Sequence, residues 1–256
     1  MVKNVKVLIR GLLAPVIGFS LAKDWQTAKR KTSGYEGDAT LDSLASRIES
    51  LETLEKLPHD QRLVEIAKAF RDSTKQNNKS QPIRVLDIGG SFGEHFFHIQ
   101  KLMPEHSYDW TVLETKGHCA IIPEFLASTR GLRFISESPA SDQHFDIALL
   151  SSVIQYVDDP YELLTKALQV SDSVIVNRLP LSPYEIDKVA IQRPGLLGSK
   201  GSYPVHIFSE TAFTKYLEPI AEIRSRWMVP QDSAVIRFKY IENQGFLLKP
   251  RRNTSV

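Results

Sequence analysis

The sequence predicts an α/β fold, and three observations carry that prediction. Short apolar runs recur after Pro82, segments long enough to hold a helix lie between them, and the first run ends in a glycine-rich turn. Strand and helix alternating in this way build a mostly parallel sheet with helices on both faces. With 256 residues and 42% hydrophobic content, the chain can fill one large core or one domain with a helical attachment.

The start of the chain places Lys3, Lys6 and Arg10 before the apolar stretch GLLAPVIGFSLA. Signal peptides and basic segments that lie on a membrane surface share this layout. Pro15 and Gly18 weaken a helix there, and no run of eighteen apolar residues follows. The reading adopted is an N-terminal arm packed on the domain, with peripheral membrane contact through the basic segment as the alternative. From Thr40 to Leu57, Leu41, Leu44, Ile48, Leu51 and Leu54 recur at helical spacing and predict an amphipathic helix. A second helix follows Asp60 through Leu63, Ile66, Ala67 and Phe70, and the polar stretch STKQNNKSQP at 73–82 reads as a linker. Residues 1–80 are thus an arm and helical extension, and 81–256 the main domain.

In that domain IRVLDIGG reads as a buried parallel strand, with further runs at Trp110–Leu113, Leu132–Ile135, Phe145–Leu150 and Ser173–Val176. SAVIRFKYIE and GFLLKP read as a closing hairpin turned by NQG. The net charge is only +2, with both signs mixed through most of the length, which argues against a nucleic-acid partner. The basic excess is terminal, with seven Lys or Arg in residues 1–31 against Asp24 alone. Cys119 is the sole cysteine, which excludes an intrachain disulfide and a Cys-based zinc cluster and suits the cytoplasm. The sequence carries no signal of oligomeric state.

The chemistry concentrates in Val85 to Gly93, VLDIGGSFG, followed by a helix opening with Glu94 and His95. Glycines in a strand-to-helix turn let a ligand approach exposed N–H groups, which predicts a nucleotide-like cofactor. Glu114 ends the second strand 27 residues after Asp87, where a carboxylate can accept hydrogen bonds from ribose hydroxyls. An NAD-linked protein uses the same order of elements, but its fingerprint is G-x-G-x-x-G and this one is D-x-G-G-x-x-G. The difference favours a methionine-like cofactor.

VLDIGGSFG, Glu114 and the FDIALLSSVIQYVDDP segment resemble motifs of class I S-adenosylmethionine-dependent methyltransferases, over about residues 83–178. DWQTA, SGYE, SSVIQY and YPVHIFSE extend the likeness to a group of bacterial methyltransferases associated with surface-polysaccharide gene clusters, from Trp25 to Trp227. The resemblance implies a Rossmann-like fold with a mostly parallel seven-stranded sheet, and S-adenosylmethionine as cofactor. It implies a cofactor turn of Asp87, Gly89, Gly90, Ser91, Phe92 and Gly93, a ribose clamp at Glu114, and Ser151 and Ser152 beneath the methionine part. Ser91 stands where the class prefers glycine. The adenine-side residue stays open among Glu137, Ser138 and Asp142.

Ligands of open α/β sheets lie beyond the carboxyl ends of the strands, which makes Gln155, Tyr156 and Arg178 candidates to face a methyl acceptor, with Tyr203 able to stack on it or to pack. Transfer to a hydroxyl needs alignment and a base, and His206 in the YPVHIF run is the candidate, against a purely structural role. His95 and His98 share a helix face, but they lack a third ligand and the H-E-x-x-H order, so no metal site is expected. The expected function is methyl transfer to an oxygen of a sugar, glycan precursor or other small molecule. An NAD-linked oxidoreductase and a non-catalytic binding protein of the same fold are the rivals.

Overall fold

The structure is a computed structural model that describes residues 18–34, 61–74, 81–140, 142–193, 201–230, 234–236 and 239–252. Its strands are β1 (Gly18–Ala22), β2 (Ile83–Ile88), β3 (Tyr108–Leu113), β4 (Leu132–Ile135), β5 (Phe145–Ser151), β6 (Ser171–Ser182), β7 (Lys188–Arg193), β8 (Tyr203–Ser209), β9 (Ala221–Met228), β10 (Ala234–Ile236) and β11 (Lys239–Pro250). The helices are α1 (Trp25–Arg30), α2 (Gln61–Thr74), α3 (Glu94–Leu102), α4 (Lys116–Cys119), α5 (Glu124–Ala127), α6 (Pro160–Val170) and α7 (Glu210–Leu217), and Ile154–Tyr156 form a 3-10 turn.

β2 lies between β3 and β5, parallel to both, with β4 beyond β3 and β6 beyond β5. These strands are apolar on both faces because helices cover both. Alternation sorts the side chains: Leu86, Leu150 and Val176 pack on one side with Leu164 of α6 and Phe213 of α7. Val85, Leu149 and Ile175 pack on the other with Phe70 of α2 and Phe96 of α3. Burying each such side chain fully is worth about 1.5–3 kcal/mol, so the central strands anchor both halves of the core.

The sheet differs from the expected seven mostly parallel strands. It is mixed and takes in eleven strands among the described residues. The cause is the length of β6, which pairs with β5 from Ser171 to Asn177 and then outlasts it. Leu181 and Ser182 take β8 as neighbour instead, and β8 continues antiparallel to β7 and β7 to β1. On its other side β6 pairs antiparallel with β11, and β11 with β9. The described part of the N-terminal arm is therefore a sheet strand. α2 is likewise part of the main core, with Ile66 and Phe70 buried against Val85 and Trp110. The helix expected over Thr40–Leu57 lies outside the described residues. α2 itself includes Ser73 and Thr74, whose hydroxyls bond back to the Ala69 and Phe70 carbonyls, so the expected linker starts later. Among the described residues, no helix is long and apolar enough to cross a membrane.

NQG does not turn a hairpin. Asn243, Gln244 and Gly245 lie inside β11, and the pairing with β6 shifts register between Gln244 and Phe246. The hairpin instead joins β10 and β11, with Ile236 opposite Lys239. Gly245 serves a different need: Trp227 of β9 lies across it, and a Cβ there would collide with the indole. The ring crosses β11 to donate from Nε1 to Asn177 Oδ1 of β6 at 3.0 Å. Gly245→Ala is expected to destabilise the fold by about 1–3 kcal/mol, the cost typical of overpacking. In a Trp227→Ala background that cost should vanish, which a double-mutant cycle by urea denaturation measures directly.

Candidate active site

The glycine turn grows out of the end of β2. Asp87 is 0% exposed and spends one oxygen twice: Oδ2 accepts from Trp110 Nε1 at 3.2 Å and lies 3.1 Å from His95 Nδ1. Its Oδ1 is buried with no hydrogen-bond partner. Gly90 makes room for this carboxylate, since a Cβ would collide with it. Gly89 turns the chain at φ 68°, donates its N–H to the Leu113 carbonyl at 2.8 Å, and would bring a Cβ to 2.6 Å from Val153 Cγ2. Gly93 at φ 79° starts α3.

Ser91 adopts φ 53°, a left-handed conformation uncommon for a residue with a side chain. Its N–H donates to Glu114 Oε1 at 2.9 Å, and the Thr115 N–H to Oε2 at 3.2 Å. The serine at the position where glycine is preferred thus reaches glycine-like geometry and ties the turn to the acid. Its hydroxyl is buried and has no partner. Phe92 is fully buried, its ring 4.8 Å from that of His118, and pins the turn to α4 and α5.

The end of β5 and the middle of β6 form the other wall. Ser152 at φ 61° donates its N–H to the Asn177 carbonyl at 2.9 Å. Asn177 Nδ2 reaches Ser151 Oγ at 3.4 Å. Arg178 also stands at φ 61°. Gln155, 3% exposed, donates from Nε2 to Ser152 Oγ at 3.1 Å, and its Oε1 is buried without a partner. Gln155 Nε2 also lies 3.4 Å from the Arg178 carbonyl, so Gln155, Ser152 and the Arg178 backbone are brought together. Tyr156 and Tyr203 form a separate edge-to-face pair at 6.4 Å, with the Tyr156 hydroxyl donating to Gln192 of β7 at 2.7 Å.

His206 on β8 bonds through Nε2 to the Val157 carbonyl at 3.1 Å. A carbonyl only accepts, so Nε2 carries the hydrogen and Nδ1 is the basic nitrogen. The Trp25 indole of α1 stacks on the imidazole at 4.1 Å, and Asp158 holds that indole and Lys29. Burial pushes the His206 pKa down, against the Val157 carbonyl and the Asp187, Asp158 and Asp159 charges. His95 behaves oppositely. Burial pushes it down too, but the Asp87 charge and hydrogen bond, with the Glu94 charge, outweigh burial, and the net shift is upward although Arg178 opposes it. Sequence reasoning placed His95 at the helix start after the turn; its bond to Asp87 joins groups whose meeting depends on the turn's path. Asn177 and Trp227 carried no sequence signal.

No protein-family model matches the chain, and no curated protein matches it. Solved structures do. The N-terminal domain of EvdMO1 with SAH bound matches 75% of this chain and 82% of its own, at a TM-score of 0.52 and 16% identity. The same domain in the presence of SAH and D-fucose gives 0.51 at 17% identity, over 75% and 84%. LepI in complex with SAM gives 0.52 at 13% identity, over 97% of this chain and 64% of that one. Likeness at these identities shows the fold alone, an α/β fold shared with these SAH- and SAM-bound proteins.

The two histidines make opposite contributions to stability against pH. The raised His95 stabilises fully below the ordinary value of 6.5 and loses that contribution as pH rises through its folded value. The lowered His206 resists charging, so the fold loses stability as pH falls below 6.5. A proton NMR titration should place His95 above and His206 below that value, and His95→Gln should remove the high-pH loss alone in denaturation curves.

Proposed function

We propose that this chain is an S-adenosylmethionine-dependent methyltransferase acting on an oxygen of a small molecule such as a sugar or glycan precursor, in the cytoplasm. The observation that carries the reading is Glu114, whose carboxylate is fixed by the Ser91 and Thr115 N–H groups at the mouth of a glycine turn. Each carboxylate oxygen has a second lone pair, which suits a pair of ribose hydroxyls. Gly89 and Gly90 keep side chains off the turn, and the buried oxygens of Asp87, Ser91 and Gln155 that lack partners lie along the same strand ends. These features fit an adenosyl cofactor.

When bound, S-adenosylmethionine supplies a methyl group on a positively charged sulfur, which is transferred to the acceptor oxygen as the carbon–sulfur electron pair returns to sulfur. The chain's own residues then have three tasks. Asp87, Gly89, Gly90, Ser91, Phe92, Gly93 and Glu114 hold the cofactor, with Ser151 and Ser152 below its methionine part. Gln155 and Arg178 orient the acceptor on the far side of β5, with Tyr156 and Tyr203 packed behind them. His206, kept neutral by burial and with its hydrogen fixed on Nε2, presents Nδ1 as a base for the acceptor proton. The D-fucose present with the EvdMO1 domain supports a sugar-like acceptor. The basic residues ahead of β1 would serve contact with an acidic membrane surface.

Calorimetric titration with S-adenosylhomocysteine should give a micromolar Kd, about −8 kcal/mol. Glu114→Ala should weaken it at least tenfold, about 1.4 kcal/mol. Heat from a nicotinamide dinucleotide in place of the adenosyl ligand would reverse the assignment.

A further inference from the structure

Val205 and Ile207 of β8 turn to a small core with Ala190, Ile236 and Ile241. Strand alternation sends His206, which lies between them, to the other face, where the Phe208 ring is 6.1 Å away. There the imidazole meets the segment that leaves the 3-10 turn: its Nε2 donates to the Val157 carbonyl at 3.1 Å, two residues past Gln155. One hydrogen bond at the rim does not fix an imidazole, because its outer torsion is broad and roughly two-fold. A half-turn of the ring would exchange its two nitrogens, and with them the donor and the base.

The second hold comes from α1. The Trp25 indole lies on the imidazole with centroids 4.1 Å apart and planes 11° from parallel. Trp25 is itself anchored, since its Nε1 donates to Asp158 Oδ1 at 3.0 Å. Lys29, one helical turn later and so on the same face of α1, donates to both oxygens of that carboxylate at 2.9 and 2.8 Å. An exposed ion pair of this kind adds little to stability; what it settles is the place of the indole. Val157 and Asp158 are consecutive residues, so one short segment grips the rim of the ring through a carbonyl and its face through Trp25.

We propose that Trp25 is a positioning residue for the proposed reaction: stacked on His206 and anchored to Asp158, it holds the imidazole with its Nε2 hydrogen on the Val157 carbonyl and its Nδ1 lone pair in one direction. The role rests on the reading of His206 as the base that takes the acceptor proton. Trp25 acts through His206 and is not itself catalytic. The charged groups around the ring are Asp158 and Asp159 after the 3-10 turn, Asp187 before β7, and Lys29 of α1 through Asp158. Removing the indole leaves all four in place, so it changes the cover of the ring and not its charges.

Nuclear magnetic resonance of the histidine nitrogens reads the ring directly, with the His206 signal identified by its loss in His206→Gln. The wild type should show the neutral Nε2–H form and a pKa below 6.5. Trp25→Ala should mix the two neutral forms and bring the pKa to about 6.5 or above, whereas Trp25→Phe, which keeps a stacked ring, should retain the Nε2–H form. Asp158→Ala, at an exposed position, frees the indole without removing it and should also mix the two forms, which covers the case of an unfolded Trp25→Ala. A purely structural tryptophan would lower the melting temperature and leave the nitrogen signals of the folded variants unchanged, and that result overturns the role. S-adenosylhomocysteine affinity should change less than about twofold in the folded variants. Its failure to bind folded wild type overturns the methyltransferase reading, and with it the role of Trp25 in that reaction, whatever the nitrogen signals show.

Discussion

The carboxylate of Asp87 is the constraint around which the site is organised. A charge with no exposed surface at the end of a central strand is costly unless donors surround it. Trp110 and His95 supply two donors to one oxygen, and the other oxygen has none. Gly90 has to be a glycine because the carboxylate occupies the space a Cβ would need. The turn then carries left-handed backbone at Gly89, Ser91 and Gly93, which aims the Ser91 N–H at Glu114. Asp87 therefore pushes the His95 pKa up against burial and fixes the position of Glu114 through the turn.

A second constraint comes from strand length. β5 ends at Ser151 while β6 continues to Ser182, so the two strands part at the carboxyl edge of the sheet. Ser152 and Arg178 both turn left-handed at this parting, and with Ser91 they are the only described non-glycine residues with positive φ. Each costs on the order of 1 kcal/mol and persists only where surrounding contacts determine it. Those contacts are present: Asn177 fixes Ser152 through its carbonyl, and Trp227 fixes Asn177 from two strands away. Backbone strain collected at one edge of a sheet, and held there by buried polar groups, is the pattern expected of a site rather than of a core.

What was legible in the sequence follows from the range of the interactions. Leu132–Ile135 as a strand, the run from Phe145, and the VLDIGGSFG turn depend on local composition, and the chain shows them directly. Glu114 was legible because a βαβ unit fixes the separation of its strand ends. The pairing of β1 with β7 was not, since it joins residues about 170 positions apart and neither strand has a strong pattern alone. NQG has turn composition, yet Gly245 is there for an indole that arrives from β9. The opposed fates of His95 and His206 were hidden for the same reason: identical side chains are driven apart by a carboxylate in one case and by burial beside a carbonyl in the other.

The added β1, β7 and β8 strands bring distant parts of the chain against the 3-10 turn that follows β5. β8 brings His206 against Val157, just past the 3-10 turn that carries Gln155 and Tyr156, and β7 supplies Gln192 to the Tyr156 hydroxyl. α1 closes the arrangement from outside, with Trp25 stacked on His206 and tied to Asp158. Under the proposed function, cofactor contacts belong to the central strands, whose geometry is fixed by burial on both faces. Acceptor contacts fall to the 3-10 turn, to Arg178 and to β8, with β7 and α1 joined to them through a few side-chain bonds. Such a division lets the cofactor site stay constant while the acceptor side changes, because substitutions in β7, β8 or α1 leave the Asp87 cage untouched.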